Sequence, residues 1–397
     1  MDTILFMEAS AVNKFANLGS LPRGHEAVII GGGLAGLSLS IQLARVGYKV
    51  VLFEKEKYPF HKVCGEYLSL ESWNFIEQLG LPLRKMNLPI IKKLIVSSPG
   101  GKTIKSNLDL GGFGISRYLL DSELSKIARQ NGVEIFEETK VNDIIFENDT
   151  FTISTSAINI QSKIVAGAFG KRSNIDVKWS RDFIKQKSSK LNNYIGVKYH
   201  VQTSFPQETI ALHNFKNGYC GISQIENDKY CLCYLTNAEN LKANNNSISA
   251  MEKKVLRKNP HLENIFTSST FLYQSPVTIS QISFDKKSQV QNHVLLIGDA
   301  GGMITPLCGN GMSMALHSSK IAFEKIDNFL KHQMSREQME GQYIAEWNKN
   351  FSKRLQTGRI IQSFFGKVWI TNAFISTIKY FPFLTRRLIS STHGTPF

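Results

Sequence analysis

Short apolar runs and helical spacing alternate at the start of the chain. Glu26-Ala-Val-Ile-Ile30 is an apolar run of strand length. Leu34 to Val46 places apolar residues three and four apart, and Lys49-Val-Val-Leu-Phe53 is a second short run. The pattern predicts strand, helix, strand. A further buried-strand pattern, His293-Val-Leu-Leu-Ile-Gly298, enters a glycine-rich turn, and helical spacing resumes from Ser313 to about Leu330. Strand-like runs occupy 93–97, 193–201, 209–213, 218–225 and 229–236, separated by polar turns such as Glu226-Asn-Asp-Lys229. They predict an antiparallel sheet, interrupted by a helical stretch near 247–257. No internal repeat breaks this order.

The turn between the first strand and helix reads Gly31-Gly-Gly-Leu-Ala-Gly36, and Glu54 closes the second strand. Gly31, Gly33 and Gly36 therefore form G-x-G-x-x-G in strand–turn–helix–strand–acid context, the fingerprint of dinucleotide binding. Gly31 permits the tight turn, Gly33 admits a pyrophosphate to the backbone, and Gly36 lets helix and strand pack closely. The helix N-terminus offers free N–H groups to the phosphates. Glu54 is suited to accept from ribose hydroxyls, which favours FAD or NAD over NADP at this site. Lys55, beside it, joins the expected cofactor-binding set.

The second glycine-rich turn selects among dinucleotides. Gly298-Asp299-Ala-Gly-Gly-Met-Ile-Thr-Pro306 runs on into Leu-Cys-Gly309-Asn310-Gly311-Met312 and a helix. This run resembles the flavin-binding Gly-Asp motif of the para-hydroxybenzoate hydroxylase and geranylgeranyl reductase superfamily. The resemblance implies that Asp299 binds the ribitol or ribose part of FAD. It places Pro306, Gly309, Asn310, Gly311 and Met312 beside the isoalloxazine, where a helix dipole stabilises the charge of reduced flavin. Tyr58-Pro-Phe-His-Lys62-Val-Cys64-Gly65-Glu66 is similar to the superfamily's P-R-x-K-x-C-G-E stretch, which approaches the flavin. Gly114-Ile-Ser-Arg117 with Leu120-Asp121 is similar to its I-S-R-x-x-L-D segment, implying that Arg117 reaches toward FAD. Two departures stand out. Phe60 replaces the arginine that follows the proline, so either Lys62 takes over the phosphate contact or that contact is lost. Phe169 replaces the aspartate of the usual Gly-Ala-Asp-Gly, which bears on direct use of NADPH and points to a separate reductase as the alternative to NAD(P)H.

The implied fold is α/β: a doubly wound, glutathione-reductase-type FAD domain with an inserted antiparallel substrate sheet and a C-terminal helical tail. The expected boundaries are 25–70, 100–175 and 285–335 for the FAD domain, 71–99 and 176–284 for the substrate domain, and 336–397 for the tail. Composition agrees: 42% apolar and 20% charged residues describe a globular chain. Five cysteines with no C-x-x-C pair imply neither a disulfide framework nor zinc. Met1-Asp-Thr-Ile-Leu-Phe6 lacks a basic region before an apolar run, and no stretch of membrane-spanning length occurs. The expected place is the cytoplasm.

The net charge of +15 asks for an acidic partner. From Phe351 to Phe397 there are seven Lys or Arg and no Asp or Glu, interleaved with aromatic residues. That pattern suits either an anionic membrane surface, giving a peripherally associated protein, or a helix pair packed on the substrate domain with a solvated basic face. Nucleic acid is not expected, because the basic residues are scattered without a recognition motif.

The resemblance implies an FAD-dependent oxidoreductase with a small hydrophobic substrate. Monooxygenation of an aromatic, polyketide or isoprenoid-like molecule through a flavin hydroperoxide ranks first, and saturation of prenyl or lipid double bonds second. The four tryptophans, 73, 179, 347 and 369, do not form the W-x-W-x-I-P of flavin halogenases. Cys64 and Glu66 are the catalytic candidates, each with a structural alternative: a small apolar residue in a turn, and a bound carboxylate. Cys308 faces the same choice. His200 and His213 are candidates for substrate contact.

Overall fold

A computed structural model describes residues 24–185, 193–304, 310–364, 368–378, 383 and 394–397. Two sheets carry the fold. The first has eight strands. Its centre is His25–Ile30, which pairs in parallel with Val50–Phe53 on one side and Asn159–Gly167 on the other. Val294–Leu296 extends it in parallel beyond Asn159–Gly167, and Glu134–Phe136 closes the opposite edge. The helix Leu34–Arg45 covers this sheet and packs on a second helix, Gly311–Leu330. Strands buried on both faces explain the unbroken apolar runs of the sequence. Phe169 is half-buried and packs against the core on the other face, which includes Val165 and Leu296.

The second sheet has nine strands. Tyr194–Gln202, Tyr230–Asn237, Gly218–Gln224 and Thr209–Phe215 lie in antiparallel succession, as the alternating runs predict. Ile90–Ser97 then joins Thr209–Phe215 in parallel, the one exception among its described pairings. The helical interruption is the helix Ile248–Lys254 followed by a short turn of 3-10 helix.

Two segments fall on the other side of the expected boundaries. Thr103–Gly114 and Tyr67–Ser69 pair with each other in the second sheet, and the former also pairs with Ile90–Ser97. The reason lies in Gly112 and Gly114. A Cβ at Gly114 would sit 1.8 Å from the Gln224 carbonyl oxygen, so only glycine lets this strand lie against the sheet.

The long helix Arg336–Phe364 buries Met339, Tyr343, Trp347, Phe351 and Leu355, a stripe at four-residue intervals. The stripe enters the same core as the helix Gly311–Leu330, and the Tyr343 hydroxyl donates to the Leu296 carbonyl at 2.9 Å. This part of the tail is thus packed on the nucleotide-binding sheet and not on the substrate sheet. The reason is that its apolar stripe matches the face left open by Gly311–Leu330. No described helix is long and apolar enough to cross a membrane.

Candidate flavin site

Gly31 has a φ of +106°, and a Cβ there would meet the Ala168 carbonyl at 2.4 Å. Gly36 allows the helix to approach until its missing Cβ would lie 2.0 Å from the Gly31 oxygen. These are the turn and close-packing duties expected of the fingerprint. Glu54 is buried and accepts from the Gly32 and Glu56 N–H groups, at 2.8 and 3.1 Å. It therefore braces the loop as well as standing at the strand end. Lys55 is exposed, with Glu56 at 3.6 Å. It makes no described contact with the glycine loop.

Gly33 shows what the loop is for. The nearest atoms to a Cβ at Gly33 are Arg117 Nη2 at 3.6 Å and Lys62 Nζ at 3.7 Å. Both cations are fixed by the buried Asp121. Arg117 donates twice to it, at 2.7 Å each, and Lys62 at 3.0 Å. Burial pushes the Asp121 carboxyl up, but the two cations outweigh it and hold it below the usual range. Two half-buried cations over a glycine at a helix N-terminus are an arrangement suited to a pyrophosphate. Lys62 is one of them.

Gly298 has a φ of +58°, donates its N–H to Ser318, and packs against Ala35 of the first helix. Asp299 is half-buried, and no hydrogen bond joins its carboxylate to another described residue. Burial raises its pKa, while Lys287, Arg117 and Lys171 pull it down. A carboxylate with no hydrogen-bond partner among the described residues, near these cations, fits a sugar hydroxyl. Asn310 and Met312 are buried at the start of the helix Gly311–Leu330, and a Cβ at Gly311 would meet Ile304 at 3.7 Å. Pro306, Cys308 and Gly309 lie outside the described residues.

The C-G-E stretch links the two sheets. Gly65 is exposed, with nothing within 4 Å of where its Cβ would be. Glu66 is fully buried with a φ of +54°. Its carboxylate accepts from the Arg117 N–H at 2.9 Å, pairs with Lys198 Nζ at 2.6 Å, and lies 2.6 Å from His200 Nε2. Burial pushes Glu66 up, but the His200 hydrogen bond and the Lys198 ammonium outweigh it and hold it below the ordinary carboxylate range. The expectation of a general acid requires a raised pKa, so this geometry turns Glu66 to its other reading, a bound anion. The Glu66, His200 and Cys231 donor atoms lie within 4.8 Å of one another. Lys198 already supplies the cation that this carboxylate needs, so the cluster is an ion pair and not a metal centre.

Cys64 takes the Glu66 N–H at 3.5 Å, and Cys231 donates to the Cys64 carbonyl at 3.2 Å. Burial raises the Cys64 thiol, with Arg117 opposing by a smaller amount. The group is therefore a neutral thiol next to exposed backbone. His213 is buried against Ser97 Oγ at 2.8 Å and stacks on His261, a structural placement away from this loop. Lys198, Tyr273, His61 and Asp121 are functional neighbours that sequence reasoning did not single out as site residues.

The chain matches the model of a family described as an FAD binding domain over residues 25–346. It belongs to that family. The cations over Gly33, the braced Glu54 and the half-buried Asp299 fit FAD, and the protein is a flavoprotein. A digeranylgeranylglycerophospholipid reductase of Methanococcus vannielii is 22% identical over 348 residues, covering 85% of both chains. Conditioned medium factor receptor 1 of Dictyostelium discoideum is 23% identical over 342 residues. That alignment covers 75% of this chain, which spans only 62% of the Dictyostelium protein. Among solved structures, the flavin-dependent brominase Bmp2 superposes with a TM-score of 0.74 at 19% identity, over 93% of each chain. It is similar in fold.

Proposed function

We propose that this flavoprotein saturates carbon–carbon double bonds of a hydrophobic, prenyl-like or lipid-like substrate. The observation that carries the reading is the placement of Cys64, its Sγ 3.5 Å from the Glu66 N and next to the open backbone of Gly65, where burial raises its thiol. This ranks reduction ahead of oxygenation, the reverse of the order favoured by sequence alone. The likeness to a lipid reductase along 85% of both chains supports it. FAD, when bound, supplies the hydride. Arg117 and Lys62 hold its pyrophosphate, Asp299 takes a sugar hydroxyl, and Gly65 leaves room for a flat ring. Cys64 holds the proton that the second carbon of the double bond requires, and burial keeps that proton on sulfur at neutral pH. Electrons come from a separate reductase, since Phe169 packs against the core where relatives carry an aspartate.

The tail supplies the membrane side of the same reading. Ile360, Val368, Trp369 and Phe383 are 52%, 41%, 76% and 72% exposed in an acid-free segment. An anionic lipid surface complements both features. The test of the reaction is anaerobic incubation of dithionite-reduced holoprotein with a geranylgeranyl lipid. A gain of two hydrogens per double bond is expected. Product formed only with oxygen, and carrying it, replaces the reading with oxygenation.

A further inference from the structure

Behind the C-G-E loop the hydrogen bonds continue. His200 lies 2.6 Å from Glu66 through Nε2 and 2.7 Å from the Tyr273 hydroxyl through Nδ1. The Tyr273 hydroxyl lies 3.1 Å from His61 Nδ1 and 3.3 Å from its Nε2. His61 is half-buried and stacks on Tyr118, which is 40% exposed. The chain thus runs from a fully buried carboxylate to the surface without a gap, through three groups that each donate and accept. A carboxylate only accepts, so His200 carries its hydrogen on Nε2 and accepts at Nδ1 from the Tyr273 O–H. The Tyr273 oxygen in turn accepts from His61.

We infer that His61, Tyr273 and His200 are a proton path between solvent and the Glu66 carboxylate behind the flavin-proximal loop. In the inward direction a proton from water bonds to one ring nitrogen of His61. The N–H on the other His61 nitrogen passes its proton to Tyr273, the Tyr273 proton goes to His200 Nδ1, and the His200 Nε2–H to Glu66. One proton enters, one carboxylate is neutralised, and no electrons move. The path ends at Glu66, and it holds whichever reaction the flavin performs.

The surrounding charges keep the path at rest. Glu66 faces Lys198 and His200 from one strand, Cys231 from the next, Cys64 in its own loop and the Arg117 N–H from the helix Arg117–Gln130. His61 faces Lys198, His200 and Lys229 as well as Glu66; burial first and then the Lys198 ammonium lower it to about 4. Tyr273 also faces Glu226 and Cys231, and it stays protonated because burial and these groups raise it. At neutral pH the resting state is therefore an anionic Glu66, a protonated Tyr273 and a neutral His61.

The test is hydrogen exchange at the His200 Nε2–H of the full-length holoprotein, read by nuclear magnetic resonance and assigned by its loss in His200→Gln. A hydrogen bond that merely holds structure protects this proton, so its loss speeds exchange. A path delivers exchange, so its loss slows it. Tyr273→Phe and His61→Gly are each expected to slow exchange by at least about tenfold, a modest part of what a positioned proton-transfer group contributes. Added imidazole is expected to restore the rate in His61→Gly. Unchanged or faster exchange in either variant, or no effect of imidazole, overturns the inference.

Discussion

Removing the Lys198 ammonium is the sharpest test of how the loop is held. Lys198 and Glu66 are both fully buried, with nitrogen and oxygen 2.6 Å apart. Lys198→Met keeps the length and leaves the carboxylate without its counter-charge. Breaking a buried pair from one side typically costs about 3–5 kcal/mol. The His200 contact at 2.6 Å remains on the other oxygen, so the lower end applies. A loss of about 3 kcal/mol is expected, a change of roughly a hundredfold in the ratio of folded to unfolded protein. The assay is urea unfolding at pH 7 and again in acid. Glu66 in the wild type has a depressed pKa, so the stability it contributes is present above its unfolded value near 4.5 and is lost as pH falls through the folded value. In the variant the carboxyl is raised and gains a proton readily. The gap between the proteins should therefore close below about pH 4.5. Glu66→Gln combined with Lys198→Met should recover most of the loss at neutral pH, since no unpaired charge is left. A gap under about 1 kcal/mol at pH 7, the range of surface pairs, or one that does not change with pH, refutes the buried-anion account.

Three further outcomes probe the cofactor and the tail. Gly33→Val should fold and lose FAD, because its side chain would project between the cations of Arg117 and Lys62; stoichiometric flavin after purification would displace the phosphate loop from the site. Asp121→Asn should weaken FAD binding by about tenfold or more in a flavin-fluorescence titration and lower the melting temperature, since two fixed cations lose their shared carboxylate. An affinity equal to wild type would show that their fixed geometry is unimportant. Trp369→Ser should reduce sedimentation with anionic liposomes while leaving flavin content unchanged, and equal sedimentation of the two proteins counts against a lipid-facing tail.

The flavin half of this picture is legible in the sequence because its rules are local. Gly31, Gly33, Gly36 and Glu54 sit within one strand–helix–strand unit, and each spacing states a geometric duty. The Gly-Asp turn is equally local, up to the residues that fall outside the described part. The centre behind Cys64 is not legible in that way. It joins Glu66 to Lys198 and His200, more than 130 positions away, and to Tyr273 beyond them. Only the register of the second sheet brings them together. One signal was present: Lys198 and His200 lie two apart in an otherwise apolar strand, hence on one face, and charged residues facing inward need a partner. The reversed placement of Thr103–Gly114 is more local: it pairs with the adjacent Ile90–Ser97 and with Tyr67–Ser69. The long C-terminal helix shows the converse. Its stripe from Met339 to Leu355 announces a buried face, but nothing in the stripe says which core it enters.

The most direct measurement follows the flavin and the product together. Holoprotein is reduced with one equivalent of dithionite under argon and mixed with a geranylgeranyl lipid. Flavin absorbance is then recorded while the lipid mass is read at intervals. The account predicts that the flavin reoxidises without oxygen, in proportion to the double bonds saturated, and that Cys64→Ala slows this without loss of FAD. Flavin that stays reduced until oxygen is admitted, with labelled oxygen then found in the product, contradicts it.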